Sequence, residues 1–86
     1  MDLDPTEMKK VANRLKRAQG QLAAVVRMVD EGADCVDVVT QLSAVSKALD
    51  RAGFAVISTG LKQCLADGEN GDGDMEKLEK LFLSFA

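Results

Sequence analysis

The fold is decided by residues 34–65, which read DCVDVVTQLSAVSKALDRAGFAVISTGLKQCL and hold both cysteines of the chain, Cys35 and Cys64. Apolar or small residues recur in this stretch at alternating steps of four and three, which is the spacing of one helix face. These residues are Val38, Leu42, Val45, Leu49, Ala52 and Val56. Because no proline interrupts the stretch, the pattern predicts one continuous helix.

Within such a helix the two cysteines cannot meet. Cys35 and Cys64 are 29 residues apart, and the helical rise of about 1.5 Å per residue separates them by roughly 43 Å. A second copy, packed antiparallel under two-fold symmetry, brings Cys35 of one chain close to Cys64 of the other, twice over. The geometry therefore predicts a dimer with two thiol pairs between its subunits.

Length and composition favour helices that assemble with other copies. The chain has 86 residues, enough for one domain, and a compact monomer of that size is about 30 Å across. The predicted central helix is longer than that. Hydrophobic residues make up 47% of the chain, with three Phe and no Trp or Tyr, a composition typical of packed helices. We expect residues 1–86 to form a single all-helical domain that oligomerises.

Charge and cysteine usage narrow the class of protein. The net charge of −3 argues against unselective nucleic-acid binding, although a local basic patch still permits selective binding. The sequence shows no signal peptide and no apolar run long enough to cross a membrane. We expect a cytoplasmic protein without membrane association. In a reducing compartment its cysteines are either buried small residues or reactive groups, not a static disulfide.

A basic helix is predicted before the central one. Asp4-Pro5-Thr6-Glu7 is a helix-start signal, with Asp4 as N-cap and Glu7 closing a capping box, and Gly32 ends the helix near Glu31. Between Lys9 and Arg27 the sequence has six basic residues and no acidic one: Lys9, Lys10, Arg14, Lys16, Arg17 and Arg27. These residues form either a solvated face or a phosphate-binding surface, which Lys47 and Arg51 would extend.

The other boundaries and glycines have local interpretations. Asp34 is expected to cap the central helix. Residues 66–73 are interpreted as an acidic connecting loop, and Asp74 as the cap of a short third helix with an apolar stripe. The interior glycines Gly20, Gly53 and Gly60 suggest places where another helix comes close.

The residue inventory excludes most enzymatic chemistry. The chain has no histidine, so a nucleophile paired with a histidine base is excluded, and the carboxylates are explained by helix capping. Neither CxxC nor HExxH occurs, and we expect no resident cofactor and no preformed metal site. Monovalent copper, which accepts few thiolates, stays open as a ligand. We therefore expect a protein that is not an enzyme and whose chemistry resides in Cys35 and Cys64.

Three segments together resemble the CsoR-type repressors, the copper-sensitive operon repressor family of bacteria. They are RLKRAQGQL (14–22), DCVDVVTQLSAV (34–45) and KQCL (62–65). The resemblance implies a protomer of two long helices and one short helix, antiparallel four-helix dimers, and a disc-shaped homotetramer made of two dimers. It also implies repression by binding operator DNA, with release by an inducer held between Cys35 and Cys64. The DNA contacts implied are Lys10, Arg14, Lys16, Arg17 and Arg51.

The subtype follows from the positions that match the family's sensing residues. The copper-sensing branch uses Cys, His and Cys, and the matching positions here are Cys35, Gly60 and Cys64. The nickel and cobalt branches need histidines near the N-terminus, and the formaldehyde branch needs a proline where this chain has Asp2. Two cysteines without histidine resemble the CstR-type sensors of persulfides and polysulfides. Gly60 would leave room beside Cys64 for added sulfur.

The expected function is therefore a repressor that leaves DNA when a persulfide or polysulfide bridges Cys35 and Cys64 of two subunits. The chemistry is consistent with this, since a thiolate can attack a sulfane sulfur and a second thiolate can close a di-, tri- or polysulfide. Two alternatives stay open. One is a repressor that binds copper(I) with the two thiolates, and the other is a helical assembly protein with inert cysteines that does not bind DNA.

Overall fold

The computed structural model describes residues 2–67 and 72–85, and these form three helices. They are α1 (Lys9–Asp30), α2 (Cys35–Asp67) and α3 (Asp72–Phe85), and both α1 and α3 pack against α2. The described residues contain no strand. None of the described helices is both long and apolar enough to cross a membrane. The prediction of an all-helical chain with two long helices and one short helix is confirmed.

The central helix is continuous, as the spacing of its apolar residues predicts. α2 has 33 residues and is therefore about 50 Å long. It determines the shape of the protomer, which measures 53 × 25 × 14 Å and has a radius of gyration of 16.3 Å. A compact chain of this length would have a radius of gyration near 12 Å. The protomer is consequently a flat, elongated object with a large surface for its size.

A glycine turn separates α1 from α2. Gly32 has a φ of 72°, a conformation that costs glycine little because it has no Cβ. The amide of Ala33 donates to the carbonyl of Met28 at 2.9 Å, and the amide of Gly32 donates to that of Val29 at 3.2 Å. These two bonds are the Schellman arrangement that satisfies the last carbonyls of a helix. α1 therefore ends at Asp30, one residue before the predicted end, and the chain folds back.

The predicted start of the first helix is wrong by four residues. The carboxylate of Asp4 accepts a hydrogen bond from the amide of Thr6 at 2.9 Å, which makes a local turn instead of a helix cap. Residues 5–8 are turns, and α1 begins at Lys9 after Met8, which makes no side-chain capping bond. Asp4 is thus a capping residue of the turn that precedes the helix.

The predicted loop and cap before the third helix also need correction. α2 continues to Asp67 and α3 already begins at Asp72, so Asp74 lies inside the first turn of α3 and is not its cap. Residues 68–71 of the predicted loop lie outside the described residues. The error has a physical reason: a carboxylate is favourable both at an N-cap and within the first turn, where it meets the positive end of the helix dipole.

The seam between α1 and α2 is made of small and β-branched residues spaced seven apart. They are Val11, Ala18 and Val25 on α1, and Val45 and Ala52 on α2, whereas Ile57, which is also buried, lies five residues after Ala52 and is outside this series. The two alanines are the most enclosed, with exposed fractions of 1% for Ala18 and 0% for Ala52. Because the side chains at the contact set the distance between two helix axes, alanines there allow a close approach.

α3 docks on α2 through aromatic rings. The ring centroids of Phe54 and Phe82 are 5.1 Å apart with an interplanar angle of 75°, and those of Phe54 and Phe85 are 6.1 Å apart. A Cβ at Gly53 would lie 2.6 Å from a ring carbon of Phe85, so the close contact predicted at this glycine is confirmed. At Gly20 nothing lies within 4 Å of such a Cβ, and the close approach predicted there is not made within the protomer.

The seam predicts a specific response to overpacking. Replacing Ala52 with leucine should lower the free energy of unfolding by about 1–3 kcal/mol, because the larger side chain forces the two helices apart. Urea unfolding followed by circular dichroism measures this change. Ala44→Leu is the matched control, since Ala44 lies on the same helix but is exposed. Equal stability of the two variants would contradict the described seam.

Candidate functional site

A basic depression lies on the protomer where α1 and α2 run side by side. Its volume is about 330 Å³, and it is lined by Arg14, Arg17, Gln21, Ala48 and Arg51. A second depression of about 200 Å³ adjoins it and is lined by Lys10, Asn13, Arg14 and Arg17. We call the two depressions together the basic groove. It brings together residues from two helices that lie far apart in the sequence.

Helical spacing explains why these side chains converge. Lys10, Arg14 and Arg17 are separated by steps of four and three, so they project from one face of α1. Arg51 immediately precedes Ala52, the most buried residue of the α1–α2 seam, and therefore lies at the edge of that seam. Sequence reasoning missed Gln21, although its step of four from Arg17 places it on the same face.

Four of the five predicted DNA-contacting residues line the basic groove. The exception is Lys16, which is exposed on α1 but lines neither depression. Lys47, which was expected to extend the basic surface, is also exposed outside the groove. The reason is geometric, because Lys16 is only one residue from Arg17 and so points about 100° away from it around the helix.

The groove concentrates positive charge in a chain whose net charge is −3. In the described part of the chain the guanidinium groups of Arg14, Arg17 and Arg51 have no hydrogen bond or ion pair with a protein group. Their donors are consequently available to an external acceptor. Guanidinium groups match the geometry of phosphate oxygens and bind them with two parallel hydrogen bonds. The arrangement suits a phosphate-bearing ligand.

The first cysteine lies at the start of the central helix. Cys35 is exposed and is the first residue of α2. The carboxylate of Asp34 accepts hydrogen bonds from the amides of Val36 at 3.0 Å and Asp37 at 3.4 Å, which confirms Asp34 as the N-cap. The cap fixes the first turn of α2, and the Cys35 thiol is presented to solvent from an ordered backbone.

The second cysteine lies near the other end of the same helix. Cys64 is three residues before Asp67, the end of α2, and its side chain lies outside the described residues. Gly60, one turn earlier, is buried. Since α2 is continuous, the two cysteines occupy opposite ends of one rod and are about 43 Å apart along its axis. A site that uses both thiols requires more than one protomer.

The described residues of one protomer do not form a metal site. Among the described residues no three Cys, Asp or Glu side chains are grouped in a way that could hold a metal ion, and the sequence has no histidine. Two thiolates brought together from different subunits are a different donor set. They suit a soft monovalent ion such as copper(I), which accepts a low number of thiolate ligands.

The side of the α1–α2 pair opposite the basic groove is apolar and uncovered. Leu15 and Leu22 on α1 have exposed fractions of 41% and 44%, and Leu42 and Leu49 on α2 have 47% and 44%. We call these four residues the leucine face. The helix face predicted in the sequence is thus divided, because Val45 and Ala52 are buried within the protomer whereas Leu42 and Leu49 are not.

Comparison with known proteins agrees with this architecture. The family model described as "Metal-sensitive transcriptional repressor" matches residues 7–84. The chain is 42% identical over 67 residues to the copper-sensing transcriptional repressor CsoR of Mycobacterium ulcerans, a match covering 77% of this chain and 57% of that protein. It is 36% identical over 77 residues to the copper-sensing repressor RicR of Mycobacterium tuberculosis, covering 87% and 80% of the two chains.

A solved structure extends the comparison from sequence to fold. The nickel-responsive transcriptional regulator InrS superposes with a TM-score of 0.70 and 29% identity, over 92% of each chain. The chain therefore belongs to the family of metal-sensitive transcriptional repressors. This confirms the resemblance to the CsoR-type repressors, and members of the family are transcriptional repressors and not enzymes. The CstR-like subtype stays a prediction.

Proposed function

We propose that this chain is a repressor that binds operator DNA through the basic groove and is released when an inducer joins Cys35 and Cys64 of two subunits. The observation that carries the proposal is the convergence of Arg14, Arg17 and Arg51 from two helices without protein partners in the described part of the chain. Phosphate contacts repeated over several subunits would supply much of the affinity and make it strongly dependent on salt.

The leucine face supports an assembly of identical subunits. A protomer only 14 Å thick exposes leucines from both long helices on one side, and contiguous apolar surface of this kind marks an interface. A second copy packed antiparallel covers the leucine face with the same residues and gives a four-helix dimer. A tetramer formed by two dimers, as the family resemblance implies, would repeat the basic groove four times.

The same antiparallel packing supports the inducer site. Two copies of α2 lying head to tail along their lengths place Cys35 of each copy at the end where the other copy has Cys64. The dimer thus has two equivalent thiol pairs. Because both ends of α2 take part, anything that bridges a pair acts on the position of the helix that also carries Arg51. The groove is then sensitive to the state of the cysteines.

The first candidate inducer is copper(I). Its support is the identity of 42% to a copper-sensing repressor and the match to the metal-sensitive family, together with the preference of copper(I) for thiolates. In this chain the two thiolates would be the ligands, since the position that the family resemblance gives to histidine is Gly60.

The second candidate inducer is a persulfide, and its support is the absence of any histidine from the sequence. The Cys35 thiolate attacks the outer sulfur of a persulfide R–S–SH, forms a new S–S bond and expels RS⁻. The Cys64 thiolate of the partner subunit then attacks the Cys35 sulfur and expels HS⁻, which leaves a disulfide. Further sulfur transfer before this closure gives the trisulfide or longer bridge.

The basic groove predicts the effect of removing its arginines. Arg14→Ala and Arg51→Ala should each weaken binding to a duplex selected by the wild type from a random library by at least about tenfold, because guanidinium contacts to phosphate are lost. The dependence of log K on log salt should become shallower by about one for each phosphate contact removed. Fluorescence anisotropy over a salt series measures both quantities.

Arg27→Ala is the matched control for this experiment. It removes the same charge from α1, but Arg27 lines neither depression of the basic groove. We expect a smaller loss of affinity for this variant. If all three variants lose the same affinity, net charge alone explains binding, and the role of the groove is contradicted.

The proposed thiol pair leads to a different expected result for each of the two candidate inducers. If copper(I) is the inducer, the wild type binds about one ion per subunit under anaerobic conditions, and both Cys35→Ser and Cys64→Ser abolish tight binding and release. If a persulfide is the inducer, mass spectra of the treated protein show cross-linked subunits, with added sulfur atoms wherever the bridge is longer than a disulfide, and the same two variants stay on DNA. Native mass spectrometry and anisotropy separate the two candidates.

If Cys35→Ser or Cys64→Ser is released from DNA by neither agent, the thiol pair is supported. Release of DNA from Cys35→Ser by either agent as efficiently as from the wild type would contradict it. A wild type that binds no duplex from the library would contradict the repressor proposal as a whole.

A further inference from the structure

A hydrogen bond joins the N-terminal segment to the end of α2 that carries Cys64. The side-chain amide Nε2 of Gln63 donates to the backbone carbonyl of Asp2 at 3.0 Å, across a sequence separation of 61 residues. The turns and caps of the chain, in contrast, are bonded within five residues. We use the term N-terminal segment for residues 2–8.

The position of this bond connects two parts of the proposed site. Gln63 immediately precedes Cys64 in α2, and the N-terminal segment leads directly into α1, which begins at Lys9. Lys10, one residue further on, lines the basic groove. Gln63 therefore links the end of α2 that carries Cys64 to the residues that precede the first groove residue.

The N-terminal segment is held weakly, so that the loss of one bond matters. Residues 2–7 are exposed, including Leu3 at 41%, and little apolar burial holds the segment in place. Segments with few buried contacts open with small free energies. The hydrogen bond from Gln63 is thus one of the main interactions that hold this segment against α2.

Gln63 is also incompletely satisfied in the described arrangement. Its Oε1 atom is buried and has no hydrogen-bond partner, although a buried amide normally pairs both its oxygen and its nitrogen. An arrangement of this end of α2 that supplies a donor to Oε1 competes with the present one. The Gln63 side chain therefore has a physical reason to change partners when its surroundings change.

We propose that Gln63 is a positioning residue that couples the thiol pair to the basic groove by holding the N-terminal segment in the inducer-free protein. This inference rests on the proposed function. A ligand that bridges Cys64 displaces the adjacent Gln63 from Asp2, the N-terminal segment is released, and the start of α1 with Lys10 loses its fixed position. DNA affinity falls because the groove is no longer preorganised.

The test compares Gln63→Leu with Gln41→Leu in the full chain. Both changes remove a glutamine amide from α2, but Gln41 is exposed and, in the part of the chain that is described, makes no such bond. Amide hydrogen exchange of residues 3–8, read by mass spectrometry, should be at least about tenfold faster in Gln63→Leu and unchanged in Gln41→Leu.

The decisive readout is the ratio of DNA dissociation constants with and without the inducer. Copper(I) or glutathione persulfide is the probe, whichever releases the wild type. The ratio should be at least about fivefold smaller in Gln63→Leu than in the wild type, mainly because binding without inducer is weaker. Deleting residues 2–4 should have the same effect, and combining the two changes should add little, since both break one connection.

The possible failures are distinguishable. A wild type that is not released from DNA by either probe overturns the proposed function, and with it the coupling role of Gln63. If the wild type is released and Gln63→Leu has the same ratio, or if the deletion and the substitution are additive, this inference alone is overturned. Faster exchange with an unchanged ratio also overturns it, because Gln63 would then act on structure only.

Discussion

The property on which the structure depends most is the unbroken length of α2. Its 33 residues form one rod of about 50 Å, which neither proline nor a turn interrupts. A rod of that length prevents a compact monomer, holds Cys35 and Cys64 at opposite ends, and exposes apolar surface that one chain cannot cover. The proposed assembly with a second copy and the proposed thiol site between subunits both rest on this length, since no rearrangement of a single intact protomer brings the two cysteines together.

The α1–α2 pair has three chemically different surfaces. Its seam is closed by alanines at Ala18 and Ala52, its basic groove takes residues from both helices, and its leucine face is available to another copy. Because the groove combines Arg14 and Arg17 of α1 with Arg51 of α2, its spacing depends on how the two helices pack. In the proposed repressor, a shift of α2 relative to α1 would change the separation of the guanidinium groups and so would connect the proposed thiol pair to DNA affinity.

Much of this arrangement could be predicted from the sequence, because it depends on local periodicity. The continuity of α2, the Asp34 cap and the turn at Gly32 follow from residue spacing and backbone chemistry. The start of α1 differs from the prediction because an aspartate such as Asp4 can cap a turn as well as a helix. The cap of α3 differs because an acidic residue such as Asp74 is favourable both at an N-cap and within the first turn. The exclusion of Lys16 from the groove can be read from its one-residue step from Arg17. The division of the apolar stripe between Val45 and Leu42 and the bond from Gln63 to Asp2 depend on how the helices pack. Contacts of that kind cannot be recognised from the spacing of residues along the sequence.

The proposed thiol pair requires Cys35 and Cys64 to be neighbours across two subunits and not within one. The most direct test mixes Cys35→Ser and Cys64→Ser protomers, allows them to exchange subunits, and treats the mixture with a short bifunctional thiol reagent. If the two thiols meet in this way, we expect covalent dimers in the mixture, with peptide mapping showing a link from Cys64 of one variant to Cys35 of the other, and few or none with either variant alone. A mixture without such links, or links of Cys35 to Cys35 and Cys64 to Cys64 in the separate variants, would contradict it.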